Sequence, residues 1–342
     1  MGRRSGDAWC AGRGASGTMG SMRALVTGAA GMIGSHLVDH LLEQGAEVVG
    51  VDNLVTGQAA NLAGAARQPG FELIEGDVCD PGTWTGIGPV DQVFHLASPA
   101  SPVEFASLPF EILRTNSVGT TAAVEFALVR GARLVLSSTS EVYGEPEQHP
   151  QTERYRGNVS TTGPRACYDE GKRFSEAVVS TYARSAGLDA GIARIFNTYG
   201  PRMRATDGRV VSTFVVQALR GEPLTVQGDG DQTRSFCYVE DQVRGLVALM
   251  GSGVMGPVNI GNDTEHTVME LARLVIELTG STSTIEHRPL PQDDPTQRRP
   301  DLTLAREQLA WSPTTPLREG LARVVDHFRA TEPTASGMKP PG

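Results

Sequence analysis

The sequence predicts an α/β protein with a doubly wound parallel sheet. From residue 23 onwards, short β-branched or aliphatic runs alternate with amphipathic segments of helical length, and Gly-rich or polar turns separate them. Strands that alternate with helices pair in parallel, because each helix returns the chain to the same end of the sheet. The chain has 342 residues, and one domain usually has about 100–200, so a single small module is excluded.

The first half of the chain supplies most of this pattern. A strand over ALVTG is followed by a helix over residues 32–44 and a second strand over EVVGVD. Further helices are predicted at about 110–130 and 169–187. The remaining strands of the series are FELIEGDV, QVFHLAS, RLVLSST and AGIARIF.

The chain changes character from about residue 199. Arg-rich and Gly-rich loops, a helix at 210–220 and the Pro-dense stretch RPLPQDDPTQRRPD indicate a second, smaller lobe. The run VNIG at 258–261 is typical of a buried strand that returns to the sheet. The two lobes are therefore predicted to interleave in sequence.

The charge balance excludes a nucleic-acid surface. Lys and Arg number 30 against 39 Asp and Glu, which gives a formal net charge of -9, whereas a nucleic-acid surface needs positive charge over a broad face. An anionic ligand must therefore meet a local basic pocket. The 40 glycines show no collagen period, and this excess indicates tight turns or close backbone approach to a ligand.

The cysteines and the chain ends limit the remaining classes. The four cysteines lie far apart and no histidine has metal-ligand spacing, so neither a disulfide framework nor a metal site is expected. No apolar run of about 18 residues occurs, and residues 1–21 lack the apolar core of a signal peptide. We expect a cytoplasmic protein without membrane contact, with residues 1–21 as a disordered leader and 331–342 as a flexible tail.

A glycine-rich loop follows the first strand and opens the first helix, which is the setting of a dinucleotide-binding loop. Gly28 allows the tight turn, Gly31 lets backbone amides approach a pyrophosphate, and Gly34 lets helix and strand pack closely. Asp52 ends the second strand, where its carboxylate can accept hydrogen bonds from ribose hydroxyls and repel a 2′-phosphate. The pattern therefore favours NAD over NADP.

Further cofactor contacts are predicted beside this loop and at the ends of neighbouring strands. Asp77 follows the third strand and could bond the adenine amino group, with a simple turn aspartate as the alternative. The other predicted contacts are Met32, Ile33, Asn53, Val78 and Leu96. We predict a Rossmann-type NAD-binding domain over residues 22–198 plus about 236–262, and a smaller C-terminal α/β substrate lobe over 199–235 plus about 263–330.

Tyr168 and Lys172 form the candidate catalytic pair. They stand four residues apart on a predicted helix, and hence on one face. A Lys ammonium beside a phenol favours the phenolate, so the pKa of Tyr168 is expected to fall toward neutrality. Thr139 ends a strand at the carboxyl edge of the sheet, where ligands bind, and can share a substrate hydroxyl. Tyr168 and Lys172 are also predicted to contact NAD.

These motifs resemble the extended short-chain dehydrogenase/reductase superfamily. Longer strings carry a narrower resemblance: HLASPASP (95–102), STSEVYGEPEQHPQ (138–151), GPRACYDEGKR (163–173), ARIFNTYGPRM (193–203), DGRVVS (207–212), GEPLTV (221–226), QTRSFCYV (232–239), DDP (293–295) and RRPD (298–301). Over residues 23–328 the chain is similar to UDP-glucuronate decarboxylases, the UDP-xylose synthase family.

The resemblance implies redox-neutral decarboxylation of UDP-glucuronate to UDP-xylose. Tyr168 would deprotonate the C4 hydroxyl while hydride passes to the nicotinamide, which leaves a 4-keto sugar. Carbon dioxide could then leave because the developing charge is delocalised onto the ketone oxygen, and C5 is protonated before NADH returns the hydride. NAD is therefore expected as a cofactor that is not consumed.

Residues 140 and 141 distinguish neighbouring reactions in this superfamily. Nucleotide-sugar 4,6-dehydratases typically have Asp-Glu here, with the Asp as the acid for the leaving hydroxyl, whereas this chain has Ser140-Glu141. By resemblance, Glu141 and Arg298 lie near the sugar carboxyl. We expect Arg298 to bind that carboxyl and Glu141 to orient water or handle a proton near C5.

Four arginines lie between residues 194 and 209, at 194, 202, 204 and 209, with Asp207 as the only acid, and this local positive charge fits a diphosphate. By resemblance, Arg234 binds the diphosphate, Asn197 contacts substrate near it, and uracil lies along residues 224–226. The predicted substrate-binding set is Pro99, Ser140, Asn197, Arg202, Arg209, Val210, Leu224, Val226 and Arg234.

Two positions depart from the resemblance. Gln227 and Ser107 stand where relatives often carry aromatics, so the exact nucleotide and sugar stay open. The alternatives are a 4-epimerase or 4,6-dehydratase acting on another nucleotide sugar, or a non-catalytic NAD-binding protein. Relatives pair through the helices at about 110–130 and 169–187, so the resemblance also implies a homodimer.

Overall fold

A computed structural model describes residues 21–289 and 297–332. The predicted leader up to residue 20, the DDP string and the predicted tail from residue 333 lie outside the described residues. The strands are β1 Arg23–Thr27, β2 Glu47–Asp52, β3 Phe71–Glu75, β4 Gln92–His95, β5 Arg133–Thr139, β6 Ala190–Ile195, β7 Thr198–Tyr199, β8 Leu224–Gln227, β9 Thr233–Ser235, β10 Cys237–Tyr238, β11 Gly256–Ile260, β12 Glu265–Thr267, β13 Ile285–Arg288 and β14 Gln297–Arg298.

Helices connect most of these strands. They are α1 Met32–Glu43, α2 Pro81–Trp84, α3 Pro102–Ser107, α4 Pro109–Arg114, α5 Thr120–Arg130, α6 Ala166–Ala186, α7 Val210–Arg220, α8 Val239–Met250, α9 Val268–Thr279, α10 Thr303–Leu309 and α11 Leu317–Thr331. Within residues 21–289 and 297–332, no helix has the length and apolar character that a bilayer crossing requires.

Seven parallel strands form the central sheet in the order β11-β6-β5-β4-β1-β2-β3. The chain runs outward from β1 through β2 to β3, then crosses back to β4 on the other side of β1, so the winding direction reverses between β1 and β4. The predicted α/β fold with a doubly wound parallel sheet is confirmed. Ligands of such sheets bind outside the carboxyl ends of the strands at this reversal.

Both faces of the sheet are buried, as a period-two pattern requires. Ala24 and Val26 of β1 pack into one core with α1 and α8, whereas Leu25, between them, packs into a second core with α5 and α6. A third core joins α7, α9 and α11 around Phe214 and Leu321. The carboxyl edge of the sheet therefore lies next to a separately packed helical layer.

The predicted helix over 110–130 is interrupted. It consists of α4, a π-helical turn over Thr115–Gly119 and α5. In the turn, the Asn116 side chain donates to Ser98 in the loop after β4, and Gly119 packs against Val78. π-turns inside helices often occur at functional sites, and this one lies behind the loops that end β3 and β4.

Three smaller sheets follow the central one along the chain. β7 pairs with β10, β8 pairs with β13, and β9 lies between β12 and β14. β14 places Arg298 opposite Arg234 of β9. The division of the chain into an NAD-binding domain and a substrate lobe at residues 199, 236 and 263 stays a prediction.

Candidate active site

The loop between β1 and α1 has the geometry that its glycines require. Gly28 adopts a left-handed φ of 70°, and a side chain there would lie 2.8 Å from the Ala97 backbone nitrogen. A Cβ on Gly34 would overlap the Gly28 carbonyl oxygen. Among the described residues, no side chain caps the start of α1. The amides of its first turn and its positive dipole end therefore face the loop, as an anion site needs.

Asp52 braces this loop from the end of β2. One carboxylate oxygen accepts from the Ala30 amide at 2.9 Å and the other from the Leu54 amide at 2.8 Å. Burial raises the pKa of Asp52, and the two backbone hydrogen bonds oppose that shift. Asp77 accepts from the Cys79 amide at 2.8 Å, so it makes the turn contact left open by the sequence.

Two cavities meet at the glycine loop. The smaller, of about 250 Å³, is lined by Asp52, Asn53, Asp77, Val78 and Pro99 among others. The larger, of about 500 Å³, extends past Met32 and Ile33 to the ends of β5 and β6. Both are lined by Gly28, Gly31, Leu96 and Ser98. A dinucleotide fits this arrangement, with its pyrophosphate at the shared glycines and its two nucleosides on either side.

Tyr168 and Lys172 are both buried on the inner face of α6, at 6% and 4% exposure. The Lys172 ammonium donates to the Ser137 carbonyl at 2.9 Å and lies 5.9 Å from the centre of the Tyr168 ring. Thr139, at the end of β5, lies close enough to the Tyr168 phenol for its hydroxyl to lower the pKa of Tyr168. The structure therefore brings the three predicted catalytic side chains together at the carboxyl edge of the sheet.

The expected fall in the pKa of Tyr168 is wrong for this structure. Burial raises the pKa of Tyr168; the Thr139 hydrogen bond and the Arg209 charge lower it, and Glu141 and Asp169 add to the rise. Burial also lowers the pKa of Lys172 to about 7. A partly neutral amine bonded to a carbonyl exerts little of the field that the sequence argument assigned to it.

Glu141 lies between two guanidinium groups. Arg298 approaches one of its oxygens at 2.7 Å, and Arg165 donates to the other at 2.6 Å. Burial raises the pKa of Glu141, but the charges of Arg298 and Arg165 outweigh it and hold this pKa below its usual range. Arg298 is 2% exposed and also donates to Ser140 at 3.1 Å. The structure therefore joins the predicted residues 140, 141 and 298.

Asp169 adds a second carboxylate to this cluster. It follows Tyr168 directly, is 7% exposed, and one of its oxygens lies 3.8 Å from Arg165. Burial raises its pKa to about 7, Glu141 adds to that rise, and the two arginines oppose it. Two carboxylates with pKa values displaced in opposite directions therefore lie beside the phenol, as acid and base groups often do at catalytic sites.

The arginines between residues 194 and 209 do not act as one group. Arg194 lies away from the cavity, where it forms two hydrogen bonds with Glu176 and stacks on Tyr143. Arg194, which is outside the predicted substrate-binding set, therefore adds no charge to the cavity wall. The other three line the larger cavity, each beside a carboxylate: Arg202 with Asp39, Arg204 with Glu104, and Arg209 with Asp207.

The remaining predicted substrate residues differ in placement. Asn197, Val210 and Arg234 line the larger cavity. Leu224 and Val226 are fully buried and pack into the core around Phe214, because alternate residues of β8 point to opposite faces. The side chains of β8 that line the cavity are instead those of Thr225 and Gln227.

Four side chains at this site were missed by the sequence analysis: Arg165, Asp169, Glu104 and Phe105. Phe105 stacks on Tyr168 with ring centres 4.9 Å apart, and the Arg165 guanidinium lies 5.3 Å from the centre of the Phe105 ring. A signal was present, because Ser101 and Glu104 have capping-box spacing. Arg165 also stands four residues before Asp169, which is ion-pair spacing on a helix.

Comparison with known proteins now places this geometry in a family. Residues 24–261 match the NAD dependent epimerase/dehydratase family. UDP-glucuronic acid decarboxylase 6 of Arabidopsis thaliana is 52% identical over 310 residues, which cover 90% of this chain and 89% of that protein. UDP-glucuronic acid decarboxylase 1 of Xenopus tropicalis is 51% identical over 307 residues, which cover 90% and 72%. The chain belongs to the UDP-glucuronic acid decarboxylases of this family.

Solved structures of the NAD dependent epimerase/dehydratase family share the whole architecture. UDP-glucose 4-epimerase of Thermotoga maritima, with UDP-glucose, has a TM-score of 0.84 at 33% identity, covering 91% of this chain and 99% of that one. UDP-glucuronic acid 4-epimerase of Bacillus cereus, in complex with UDP-glucuronic acid and NAD, has a TM-score of 0.82 at 27% identity, covering 91% and 100%. The fold alone therefore does not choose between epimerase and decarboxylase.

Proposed function

We propose that this chain catalyses the NAD-dependent decarboxylation of UDP-glucuronate to UDP-xylose. The observation that carries the proposal is Arg298, which is almost fully buried and lines the same cavity as Tyr168. Its Nη atoms contact Glu141, Ser140 and the Gly144 carbonyl. Its buried Nε has no hydrogen-bond partner among the described residues, and a guanidinium N–H donates a charge-assisted hydrogen bond to a carboxylate. A sugar with a carboxyl group beside the reacting carbon is the substrate that this arrangement fits best.

The first proton transfer is assigned to Tyr168. Its phenol would take the proton of the C4 hydroxyl, while Thr139 holds that hydroxyl within reach. Because burial opposes the phenolate, the transfer needs positive charge nearby, and the guanidinium of Arg209, whose charge lowers the pKa of Tyr168, provides part of it. When bound at the glycine loop and Asp52, NAD supplies the hydride acceptor for this oxidation and later the hydride donor.

The carboxylate then leaves from a 4-keto sugar, in which the ketone lies β to the carboxyl group and accepts the developing charge. Arg298 is proposed to hold the carboxylate in place before the bond breaks. Glu141 stays ionised between its two arginines, so it can accept a hydrogen bond from a water molecule and hold it beside C5. That water passes a proton to C5 and is itself reprotonated from solvent, which supplies the one proton that the reaction consumes. Tyr168 returns its proton to the C4 oxygen at the end of the cycle, which leaves the protein unchanged.

Two alternatives within the family are weaker. Ser140 stands where a 4,6-dehydratase needs an acid, and its hydroxyl is instead hydrogen-bonded by Arg298. A UDP-glucuronate 4-epimerase is the second candidate, because the Bacillus cereus protein described above was solved with UDP-glucuronic acid and NAD. An epimerase must keep the carboxyl group through the 4-keto stage, whereas a decarboxylase must release it.

A panel of nucleotide sugars separates these candidates. The purified protein is incubated with NAD and, in turn, UDP-glucuronate, UDP-glucose and dTDP-glucose, and each product is weighed by mass spectrometry. We expect only UDP-glucuronate to react, with its mass reduced by that of carbon dioxide. An unchanged mass with a new sugar configuration would indicate the epimerase, and loss of water from a glucose nucleotide would indicate the dehydratase.

The diphosphate is proposed to lie between Arg209 and Arg234. Both line the larger cavity, as do Asn197 and Val210. Thr225 and Gln227 of β8 face the same space and are proposed to contact the base, with the neighbouring main chain. This would let Gln227 replace aromatic stacking by hydrogen bonds to uracil.

A homodimer is proposed through the exposed apolar side chains of the helices around α4 and α6. Phe110 is 75% exposed, Phe174 51% and Leu113 45%. Such side chains on neighbouring helices are typical of a surface that a partner covers. Light scattering is expected to give twice the chain mass, and Phe110→Glu with Phe174→Glu is expected to give the monomer; a monomeric wild-type protein would refute the proposal.

A further inference from the structure

Glu104 is a buried carboxylate with a partner on each oxygen. It lies on α3 at 4% exposure, and one oxygen accepts from the amides of Ala100 and Ser101, both at 3.0 Å. The other oxygen accepts a hydrogen bond from the guanidinium of Arg204, which lies 100 positions further along the chain. A buried charge that loses its partner is strongly unfavourable, so this pair fixes the distance between two remote segments.

Two further contacts join the same two segments. The Ser101 hydroxyl donates to the Asp207 carbonyl. Gly208 adopts a left-handed φ of 79°, and a side chain there would lie 2.7 Å from a methyl group of Val103. The start of α3 therefore contacts the segment 204–208 at three points.

The segment 200–209 depends on such contacts. It connects β7 to α7 without helix or strand, so its conformation must be held by side chains. At its first half, Arg202 pairs with Asp39 and its amide donates to His327. Glu104 and Ser101 hold the second half, immediately before Arg209.

The position of Arg209 matters because the Tyr168 phenol lies opposite it in the larger cavity. Its charge lowers the pKa of Tyr168, so its guanidinium acts across the cavity on the phenol. The Asp207 carboxylate accepts two hydrogen bonds from Arg209. The backbone carbonyl of the same residue accepts the hydrogen bond from Ser101. On the other side, α3 carries Phe105, which stacks on Tyr168.

We propose that the Glu104–Arg204 pair is a clasp that positions Arg209 for the diphosphate of the nucleotide sugar. Neither member of the clasp needs to touch the substrate. Glu104 anchors the segment to the lobe that carries Tyr168, Arg204 neutralises the buried carboxylate, and Arg209 is presented to the cavity. This inference rests on the proposed binding of a UDP-sugar in the larger cavity.

A double-mutant cycle tests the clasp with two readouts, steady-state kinetics on UDP-glucuronate and calorimetric binding of UDP. Glu104→Gln keeps an oxygen for the two amides and removes the charge. Glu104→Gln and Arg204→Gln are each expected to raise KM and the UDP Kd about tenfold, with a smaller fall in kcat because Arg209 also lowers the pKa of Tyr168. The double variant is expected to show no more than the larger single effect, because the clasp is already open.

The matched control is Glu277→Gln with Arg318→Gln, an exposed pair at 2.6 Å between α9 and α11, expected to change neither readout. If Arg204 bound the substrate itself, Glu104→Gln would leave binding unchanged or tighter and Arg204→Gln alone would weaken it, which would overturn the clasp. Multiplicative effects in the double variant, or a loss confined to kcat, would also overturn it. UDP binding needs no turnover, so this test remains valid if the decarboxylation itself fails.

Discussion

The two sides of the cavity are built by different means. On the cofactor side, the glycine loop acts through backbone geometry, and the hydrogen bond that joins it to the Asp52 carboxylate spans only 22 positions. On the substrate side, arginines and carboxylates from remote segments pair in the interior: 158 positions separate Arg298 from Ser140. A site built from backbone geometry can therefore be predicted from its own sequence motif, whereas a network of paired charges depends on which segments the fold brings together.

The largest effect is expected from a substitution of Tyr168, which lies where the cofactor side and the substrate side of the cavity meet. Tyr168→Phe removes the only atom proposed to accept the C4 proton and leaves the ring that stacks on Phe105. We expect the turnover rate with UDP-glucuronate to fall about a thousandfold or more, with NAD affinity retained. Rate measurements and NAD titration check this; a variant with normal turnover would exclude Tyr168 as the base.

The next effect addresses the charge network. Arg298→Ala removes the proposed carboxylate ligand, while Arg165 still pairs with Glu141. We expect kcat/KM for UDP-glucuronate to fall about a hundredfold. Arg298→Lys should recover only part of this loss, because an ammonium cannot reproduce the planar set of contacts that the guanidinium makes with Glu141, Ser140 and Gly144. Unchanged kinetics in Arg298→Ala would remove this residue from the mechanism.

The glycine loop on the cofactor side is expected to respond differently to substitution. In Gly34→Ala, the new methyl group overlaps the Gly28 carbonyl oxygen, so α1 must shift away from the loop. We expect a loss of about 1–3 kcal/mol in the free energy of unfolding and weaker NAD binding. Gly64→Ala is a control, since nothing lies within 4 Å of its Cβ position. Equal stability in the two variants would show that the loop does not need this close packing.

The smallest expected effect concerns the contribution of Asp169 to the free energy of unfolding, which depends on pH. Its pKa is raised from 3.8 to about 7, so the folded protein retains a proton that the unfolded chain loses. Its contribution to stability is therefore greatest at low pH and falls as the pH rises from about 4 through 7. We expect Asp169→Asn to be more stable relative to wild type at pH 8 than at pH 5, by about 1 kcal/mol.

Urea unfolding of both proteins at the two pH values measures this difference. Comparison with Asn at the same pH removes the contribution of Lys172, whose lowered pKa makes stability rise with pH between about 7 and 10.5. A stability difference that does not change with pH would show that Asp169 is ionised throughout.

The sequence predicted the central sheet well because its strands are buried runs separated by long helices. β2 has the predicted bounds, and the strand predicted over residues 258–261 overlaps β11, which starts two residues earlier, ends at Ile260 and pairs with β6. The strands of the smaller sheets have only two to four residues, which is too short for a hydrophobic period to appear. The capping box of α3 was visible as Ser101 and Glu104, but its role depends on a partner a hundred positions away.

The site shows the same limit. Tyr168 and Lys172 could be paired from their spacing, and Gly28 and Gly34 from their motif. The direction in which the pKa of Tyr168 shifts could not be predicted from the sequence, because it depends on burial, which is set by the packed structure. Nor could the spacing show that Arg194 turns away to Glu176 while Arg204 meets Glu104. The partner of a charged residue is decided by which segments the fold brings together.

The most direct test of the account is the fate of the carboxyl carbon. The protein is incubated with NAD and UDP-glucuronate labelled with ¹³C at that carbon, and the released gas and the nucleotide sugar are analysed together. The account predicts labelled carbon dioxide, an unlabelled UDP-pentose in equal amount, and no net formation of NADH. Label that remains entirely in the nucleotide sugar would contradict it.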